Sequence, residues 1–382
     1  MRLLGFKYFN KYRIALLALI LTLTSTLFTI TALSLLGFYE GFNTYLGEGE
    51  DIVVIYDKGS RTPFTGLVPT YLADNISLVN GVLAYSLETI APCMVNGYPV
   101  FIRGVIPRSF FNLTRITMVN GLNIELNDTS SIIVGLNAAN RLKLNPGDKV
   151  MVLGVLNNQY LELTVKGIYI SYSPLDDEVI APLYVGQWLR GIDYNLATLI
   201  RVKADRNRFD LSGLIKAEDR ISGEDKPPSK PLPVFHLPSG SKLIGVEEAY
   251  KFMRSYLDKY GLTRETIMIT ATIIFIFASI SFLNAQLAFI SQHEYEVNVL
   301  RALGASWRAL RLDLIVKFLP LSIISSIAGF LIGTIILIAA NSNNYIQLLL
   351  HRITLQLNPL ILALNIILAA MLTIVGIILT AK

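Results

Sequence analysis

Residues that could perform catalysis or bind a metal ion are widely separated in this sequence. The three histidines, His236, His293 and His351, fall in different regions, so the sequence supports neither a histidine-based triad nor a zinc cluster. The run Asp176-Asp177-Glu178 has the chemistry of a cation ligand, but we interpret it as an acidic surface turn. No G-x-x-x-x-G-K-[ST] phosphate-binding loop occurs, so we expect no ATP site, no cofactor and no catalytic residue in this chain.

Four long apolar runs dominate the composition, which is 53% hydrophobic and 16% charged. A helix that crosses a bilayer needs about 20 predominantly apolar residues. We predict four such spans, the first of them a retained anchor and not a cleaved signal peptide. No charged residue lies at the centre of any span, which argues against a coupled-ion transporter. The spans are predicted at 14–36, 267–290, 314–340 and 359–380.

The distribution of basic residues predicts the orientation of the spans. Arg2, Lys7, Lys11 and Arg13 precede the first span with no acidic residue among them, and three arginines lie between the second and third. Because cytoplasmic segments are enriched in Lys and Arg, we expect both termini in the cytoplasm and the long segment after the first span outside. The net charge of +5 then needs no nucleic-acid partner.

The segment between the first and second spans predicts an α+β domain. Short apolar runs such as "DIVVIY" and "KVMVLGVL" are separated by turn signals, and antiparallel hairpins are the expected core. The only cysteine, Cys93, cannot form an internal disulfide, so the domain must be stabilised by its core. Three sequons provide candidate glycosylation sites at Asn75, Asn112 and Asn127.

The predicted fold is therefore an α-helical membrane protein with four transmembrane spans and a large extracytoplasmic α+β domain between spans one and two. A proline-rich arm at 219–242 either binds a partner or is a tolerated insertion. The predicted parts are a cytoplasmic N-terminus with the first span at 1–36, the α+β domain at 37–245, a linking amphipathic helix at 246–266, and the remaining spans at 267–382.

One short motif suggests a family. "EVNVLRALGAS", residues 296–306, resembles the E-I-G-x-L-R-A-L-G-A-S signature of the MacB/FtsX/LolC-type permeases of ABC transporters, and the order of parts is similar too. "SSIIVGLNAANRLKLNPGDKVMVLG" and "EVIAPLYVGQWLRG" resemble segments of the family's core domain. By this resemblance, 37–245 is a MacB-like core domain and 267–382 an FtsX-like domain. Asn298 and Lys317 depart from the family pattern, which has glycine and often an acid there.

The resemblance implies a permease subunit in the cell membrane, without catalytic activity of its own. A separate ABC ATPase subunit would bind ATP and Mg²⁺ and drive movement of the extracytoplasmic domain, which is termed mechanotransmission. The permease would work as a homodimer or heterodimer among membrane lipids, exporting or extracting a lipid, lipoprotein, peptide or drug. The alternatives are regulation of a cell-surface enzyme or another outer partner without transport, and a membrane-anchored receptor or scaffold.

The same motif predicts a cytoplasmic coupling elbow at 291–312. Apolar residues at three- and four-residue spacing would form one stripe, and Gly304 and Ser306 suit a helix stop followed by a helix cap. Such an elbow either docks on the ATPase or is only a turn at the membrane surface. The stripe comprises Val297, Leu300, Leu303, Trp307 and Leu310, and the expected coupling residues are Glu296, Leu300, Arg301, Leu303, Gly304, Ser306, Trp307 and Arg308.

Small residues in the spans predict close helix packing. Ser325, Gly329 and Gly333 form a small-xxx-small row in the third span. The row either packs within one chain or forms a dimer interface. Candidate packing residues of the second span are Ala278, Ser281 and Ala285.

Overall fold

The chain divides into two compact units in the computed structural model. The membrane unit comprises Met1–Tyr39, Gly261–Ile346 and Ile353–Lys382, and the sheet domain comprises Glu40–Tyr260 and Gln347–Arg352. The structure describes residues 11–47, 51–76, 79–125, 127–205, 244–342, 347–348, 351–352 and 357–380. The proline-rich arm predicted at 219–242 lies outside these residues.

The helices and strands of the described residues are numbered in chain order. They are α1 (Lys11–Asn43), β1 (Ile52–Asp57), β2 (Val68–Pro69), α2 (Leu72–Ile76), β3 (Val82–Val95), β4 (Tyr98–Val105), α3 (Pro107–Leu113), β5 (Thr117–Gly121), β6 (Ser131–Gly135), α4 (Leu136–Leu142), β7 (Lys149–Gly154), β8 (Gln159–Ile170), β9 (Val179–Pro182), α5 (Leu183–Arg190), β10 (Leu196–Ala197), β11 (Leu199–Ala204), β12 (Ile244–Glu248), α6 (Ala249–Lys259), α7 (Arg264–Ser291), α8 (Glu294–Ala302), α9 (Trp307–Ser342), β13 (Gln347–Leu348), β14 (His351–Arg352) and α10 (Pro359–Thr380).

Four of the described helices are long and apolar enough to cross a membrane, namely α1, α7, α9 and α10. Exposed Leu, Ile, Val and Phe side chains run along them, as expected where lipid is the solvent. They extend beyond the predicted apolar runs at several ends, because polar residues can continue a helix past the hydrocarbon layer. The prediction of a four-span membrane protein is confirmed.

Helices α1 and α9 approach each other closely at two glycines. A Cβ atom on Gly329 would lie 2.5 Å from Ser25 Cβ and 2.6 Å from the carbonyl oxygen of Thr22, and one on Gly333 would lie 3.0 Å from Thr29 Cβ. Lipid supplies no hydrophobic force between helices, so such backbone contact is a main source of their association. The small-xxx-small row therefore packs within the chain, on α1.

The sheet domain is built on one mixed sheet, which contains ten strands among the described residues. Its order is β12-β1-β11-β3-β4-β9-β6-β8-β5, and β7 pairs with both β3 and β8. Most pairs are antiparallel, but β4 with β9 and β6 with β8 are parallel. The expectation of a core of antiparallel hairpins was thus only partly correct. The parallel pairs arise where helical segments provide connections long enough to cross the sheet.

Alternating strand residues and two helices form the largest core cluster of the sheet domain. Ala138 on α4 and Leu189 on α5 pack on inward-facing residues such as Val100 and Val152. Cys93 on β3 belongs to the same cluster and is 1% exposed, and burial raises the pKa of its thiol to about 12. No disulfide is needed to hold this region, because its apolar surface is removed from water.

The predicted linking helix at 246–266 differs from the structure. Residues Ile244–Glu248 form β12, which pairs antiparallel with β1, and α6 begins only at Ala249. Phe252 and Met253 of α6 are buried in a core cluster with Val54 of β1. The segment belongs to the sheet domain because cross-strand pairing, which helical periodicity does not reveal, decides the structure of its first residues.

We predict that Gly329→Val destabilises the membrane unit, because the added side chain would meet backbone atoms of α1. Overpacking of this kind costs about 1–3 kcal/mol. The midpoint of thermal unfolding of the purified full chain in detergent should fall by several degrees. Ala339→Val, at an exposed position of the same helix, is the control and should leave the midpoint unchanged. Equal midpoints for Gly329→Val and wild type would contradict the close packing.

Candidate functional site

The residues of the family-like motif form a break between two helices. Helix α8 ends at Ala302, and Gly304 has a φ of +95°, the left-handed conformation that favours glycine. Helix α9 starts at Trp307, and the Ser306 hydroxyl oxygen accepts a hydrogen bond from the backbone N–H of Ala309 at 3.2 Å. This is the helix stop and the cap expected from the sequence.

Leu303 is a large apolar side chain that this break leaves uncovered, with 80% of its surface exposed. Leu300 packs on a core cluster of the membrane unit, and Leu310 is buried. The prediction of one continuous apolar stripe was therefore wrong. Helical periodicity relates only residues within one helix, and Leu303 lies beyond the last residue of α8, so its side chain leaves the face of Leu300.

Two arginines flank Leu303 with their side chains exposed. The guanidinium carbon of Arg301 lies 4.4 Å from the ring centroid of the half-buried Trp307, a cation–π contact that joins α8 to α9. Arg308 lies one residue further along α9. The elbow thus presents an apolar residue beside positive charge. Glu296 belongs to α8, and its side chain is outside the described part.

The first turns of α9 contain a buried ion pair. Lys317 Nζ donates to Asp313 one turn earlier, and the two side chains are 6% and 7% exposed. An ammonium at this depth needs a partner, since an unpaired buried charge is costly. The departure of Lys317 from the family pattern is therefore compensated within the same helix.

The predicted packing residues have unequal surroundings. Ser325 is buried with Gly329 and Gly333, whereas Ala278 and Ala285 are half-buried and Ser281 is exposed. Asn365 on α10, which was not predicted, is fully buried, and its Nδ2 donates to Thr29 Oγ1 at 3.3 Å. A lone asparagine in an apolar run was the available signal, because such residues form hydrogen bonds between helices.

The centre of the sheet domain contains a buried network of charges that the sequence did not indicate. Arg103 on β4 donates from Nε to Glu178 Oε2 at 2.7 Å, and its Nη1 donates to Glu88 on β3. Arg201 on β11 donates from Nε to Glu88 Oε1 at 2.5 Å. The four side chains are at most 4% exposed. Two carboxylates and two guanidiniums balance, which satisfies the requirement that buried charges be paired.

Tyr45 connects the end of α1 to this network. Its hydroxyl donates to Glu178 Oε1, and the guanidinium carbon of Arg103 lies 4.9 Å from the centroid of its ring. Burial alone would raise the pKa of the Glu178 carboxyl, but the neighbouring Arg103 charge outweighs it and lowers that pKa to about 2. Glu178 is therefore a carboxylate throughout the neutral range.

The interpretation of Asp176-Asp177-Glu178 as an acidic surface turn was wrong, since all three residues are buried. Asp176 accepts hydrogen bonds from the backbone N–H groups of Ser171 and Tyr172, and Arg103 binds Glu178. A run of acids is solvated unless distant residues supply partners, and the local sequence cannot show those partners. The usable signal was a charged residue within each of three apolar strands, β3, β4 and β11.

The candidate cation-binding and glycosylation residues can also be placed. In the part of the chain that the structure describes, no group of three His, Cys, Asp or Glu side chains is arranged to hold a metal ion. Asn112 and Asn127 are exposed, and the side chain of Asn75 is outside the described residues.

Four apolar helices, with a sheet domain inserted after the first in the sequence, define a multi-pass membrane protein. Residues 268–382 match the model of the FtsX-like permease C-terminal family, so this region of the chain is similar to that family. The match includes the helix break at Gly304. No curated protein sequence matches the chain at a significant level.

Three solved structures are similar in part. The periplasmic region of MacB from Actinobacillus actinomycetemcomitans is 12% identical with a TM-score of 0.37, covering 54% of this chain and 92% of its own. The extracellular domain of the noncanonic ABC-type transporter YknZ from Gram-positive bacteria is 13% identical with a TM-score of 0.32, covering 43% and 87%. A permease-protein domain from Porphyromonas gingivalis is 12% identical with a TM-score of 0.32, covering 46% and 85%.

We predict that Glu178→Gln destabilises the sheet domain by about 3–5 kcal/mol, because it leaves Arg103 with an uncompensated buried charge. The control is Glu162→Gln on β8, which removes an exposed ion pair with Lys149 at 3.1 Å and should cost at most about 1 kcal/mol. Thermal unfolding of the full chain and its resistance to protease measure the difference. Similar losses of stability in the two variants would show that the burial of Glu178 does not determine the cost of removing its charge.

The low pKa of Glu178 predicts acid sensitivity. The folded pKa of about 2 lies below the ordinary value of 4.5, so ionised Glu178 stabilises the fold fully above the unfolded pKa. That stabilisation should be lost as the pH falls from about 4.5 towards about 2. Unfolding midpoints measured over this range should decline less steeply in Glu178→Gln than in wild type. Parallel curves would exclude Glu178 as a source of the acid sensitivity.

Proposed function

We propose that this chain is the permease subunit of an ABC-type complex and works as a dimer with a separately encoded ATPase. The elbow at 291–312 binds the ATPase on the cytoplasmic side and transmits its movement to the extracytoplasmic sheet domain. This movement exports or extracts a lipid, lipoprotein, peptide or drug. Both termini lie in the cytoplasm, in agreement with the basic residues that precede α1.

The observation that carries this proposal is the exposed Leu303 at the helix break, within the region that matches the permease family. A large apolar side chain that is 80% exposed between two arginines has the composition of an anchor residue with a polar rim. The break is fixed by the conformation of Gly304 and by the Arg301–Trp307 contact. A rigid elbow can transmit force, because little of the applied displacement is lost in bending.

A second candidate function is a membrane-anchored receptor or scaffold, or a regulator of a cell-surface enzyme, without transport. The mixed sheet with its own buried cores favours an autonomous binding domain, which this candidate requires. The two candidates differ at the elbow, because a receptor has no need of an ATPase contact there.

We predict that Leu303→Asp abolishes association with the ATPase while leaving the chain folded. In the free chain the aspartate would remain in water, but in the complex it would bury an unpaired charge at a cost of several kcal/mol. Association is measured by copurification with a separately encoded ABC ATPase from the same genome, and coupling by the stimulation of its turnover. Both should be lost, with an unchanged thermal unfolding midpoint for the permease alone.

Tyr295→Asp is the matched control for this experiment. Tyr295 is 79% exposed on α8 and lies eight residues before Leu303, which corresponds to roughly 12 Å along a helix. The control introduces the same charge into the same elbow and should retain most of the association. If Leu303→Asp copurifies and supports normal turnover, the elbow does not couple the two proteins. Loss in both variants would indicate a general effect of negative charge.

A further inference from the structure

A short segment between α9 and α10 belongs to the sheet domain and not to the membrane unit. It consists of Gln347–Leu348 and His351–Arg352, which pair antiparallel, and we call these four residues the strap. An isolated two-stranded hairpin is at best marginally stable in water, even when it is longer than this one. The strap therefore needs contacts with the rest of the domain to hold its position.

His351 provides these contacts. Its Nε2 lies 3.0 Å from Glu178 Oε1, and its ring stacks on Phe101 with centroids 5.9 Å apart and an interplanar angle of 18°. The rings of His351 and Tyr45 form a T-shaped pair with centroids 5.1 Å apart. The side chain is 12% exposed. A carboxylate can only accept, so Nε2 carries the hydrogen and donates it.

The accepting oxygen is shared. Glu178 Oε1 also accepts from the Tyr45 hydroxyl and, at 3.3 Å, from Arg103 Nη2. Arg103 already compensates the carboxylate charge through Oε2, so the His351 hydrogen bond is not required to keep Glu178 buried. Of the charged groups nearby, Glu88 binds both Arg103 and Arg201. The bond from His351 is thus free to break without leaving a bare buried charge.

The two donors to Glu178 Oε1, Tyr45 and His351, belong to distant segments of the chain. Tyr45 follows the last residue of α1 by two positions, and Arg201 Nη1 donates to the neighbouring Leu46 carbonyl at 3.0 Å. His351 lies between α9 and α10. One oxygen atom of Glu178 therefore binds two segments, of which one follows α1 and the other lies between α9 and α10 in the sequence.

We propose that the strap is a releasable link, which binds the sheet domain through His351 and shares the Glu178 carboxylate with Tyr45. A displacement of α9 and α10 then acts on the sheet domain at the same atom that binds the end of α1. The link requires only that the helices move, and it does not depend on which protein drives them. Opening breaks the hydrogen bond to Glu178 and the ring contacts of His351, and it leaves the Arg103 pairs in place.

Hydrogen–deuterium exchange of the full chain in detergent tests this link. In His351→Asn the amide nitrogen lies near the position of Nδ1 and cannot reach Glu178, whereas in His351→Gln it can take the place of Nε2. Exchange of the 347–352 amides should be about tenfold faster or more in His351→Asn, as expected for loss of a hydrogen bond to a charged group, and close to wild type in His351→Gln. Equal rates in wild type and His351→Asn, or equally fast exchange in both variants, would overturn the link.

The shared carboxylate is tested by the reciprocal effect. Amides of residues 44–47, where the Gly47 N–H donates to the Thr44 carbonyl, should exchange about threefold faster or more in His351→Asn. Tyr45→Phe should in turn accelerate exchange of the strap. His293→Ala, the same residue type altered in the membrane unit, is the control and should affect neither segment. Unchanged exchange of the β6 and β8 amides shows that the variants remain folded. Effects confined to the mutated segment would show that Tyr45 and His351 are not coupled through Glu178.

Discussion

The carboxylate of Glu178 imposes the strongest constraint on the sheet domain. A charge without water costs several kcal/mol unless partners with good geometry surround it. Arg103 must therefore lie beside it, and Arg103 in turn needs Glu88, which needs Arg201. These residues come from four different strands or strand ends, so the sheet order and the charge network specify each other. The ion pairs contribute little net stability by themselves, but a sheet assembled in another register would leave several charges unpaired.

The membrane unit obeys a different constraint, because lipid offers its helices no hydrophobic reason to associate. Contact between backbones and a few hydrogen bonds must hold them together. Gly329 and Gly333 allow α9 to approach α1, and Asn365 of α10 binds Thr29 of α1. In the described residues, close backbone approach and a hydrogen bond between helices thus provide the association that lipid does not.

Features determined by nearby residues were predictable, and features determined by distant ones were not. Apolar length alone located the four spans, and the preference of glycine and serine for helix ends located the elbow. The same local reasoning failed at Asp176–Glu178, because Arg103 is distant in the sequence. It also failed at 246–248, where pairing with β1 overrides helical periodicity, and at Leu303, where the stripe was extended across a break in the helix. Leu303 was thus predicted as a residue of the candidate site, but its exposure and its separation from the apolar stripe were not predicted.

The buried Cys93 has a chemical consequence for the whole chain. Thiol reagents and oxidants react with the thiolate, and a thiol with a pKa of about 12 that is 1% exposed supplies almost none at neutral pH. Because Cys93 is the only cysteine, the native protein has no thiol that reacts readily with maleimides. Fluorescent or spin labels can therefore be attached at one introduced cysteine with the natural core intact. Distances within the native protein become measurable without first removing a residue on which its packing depends.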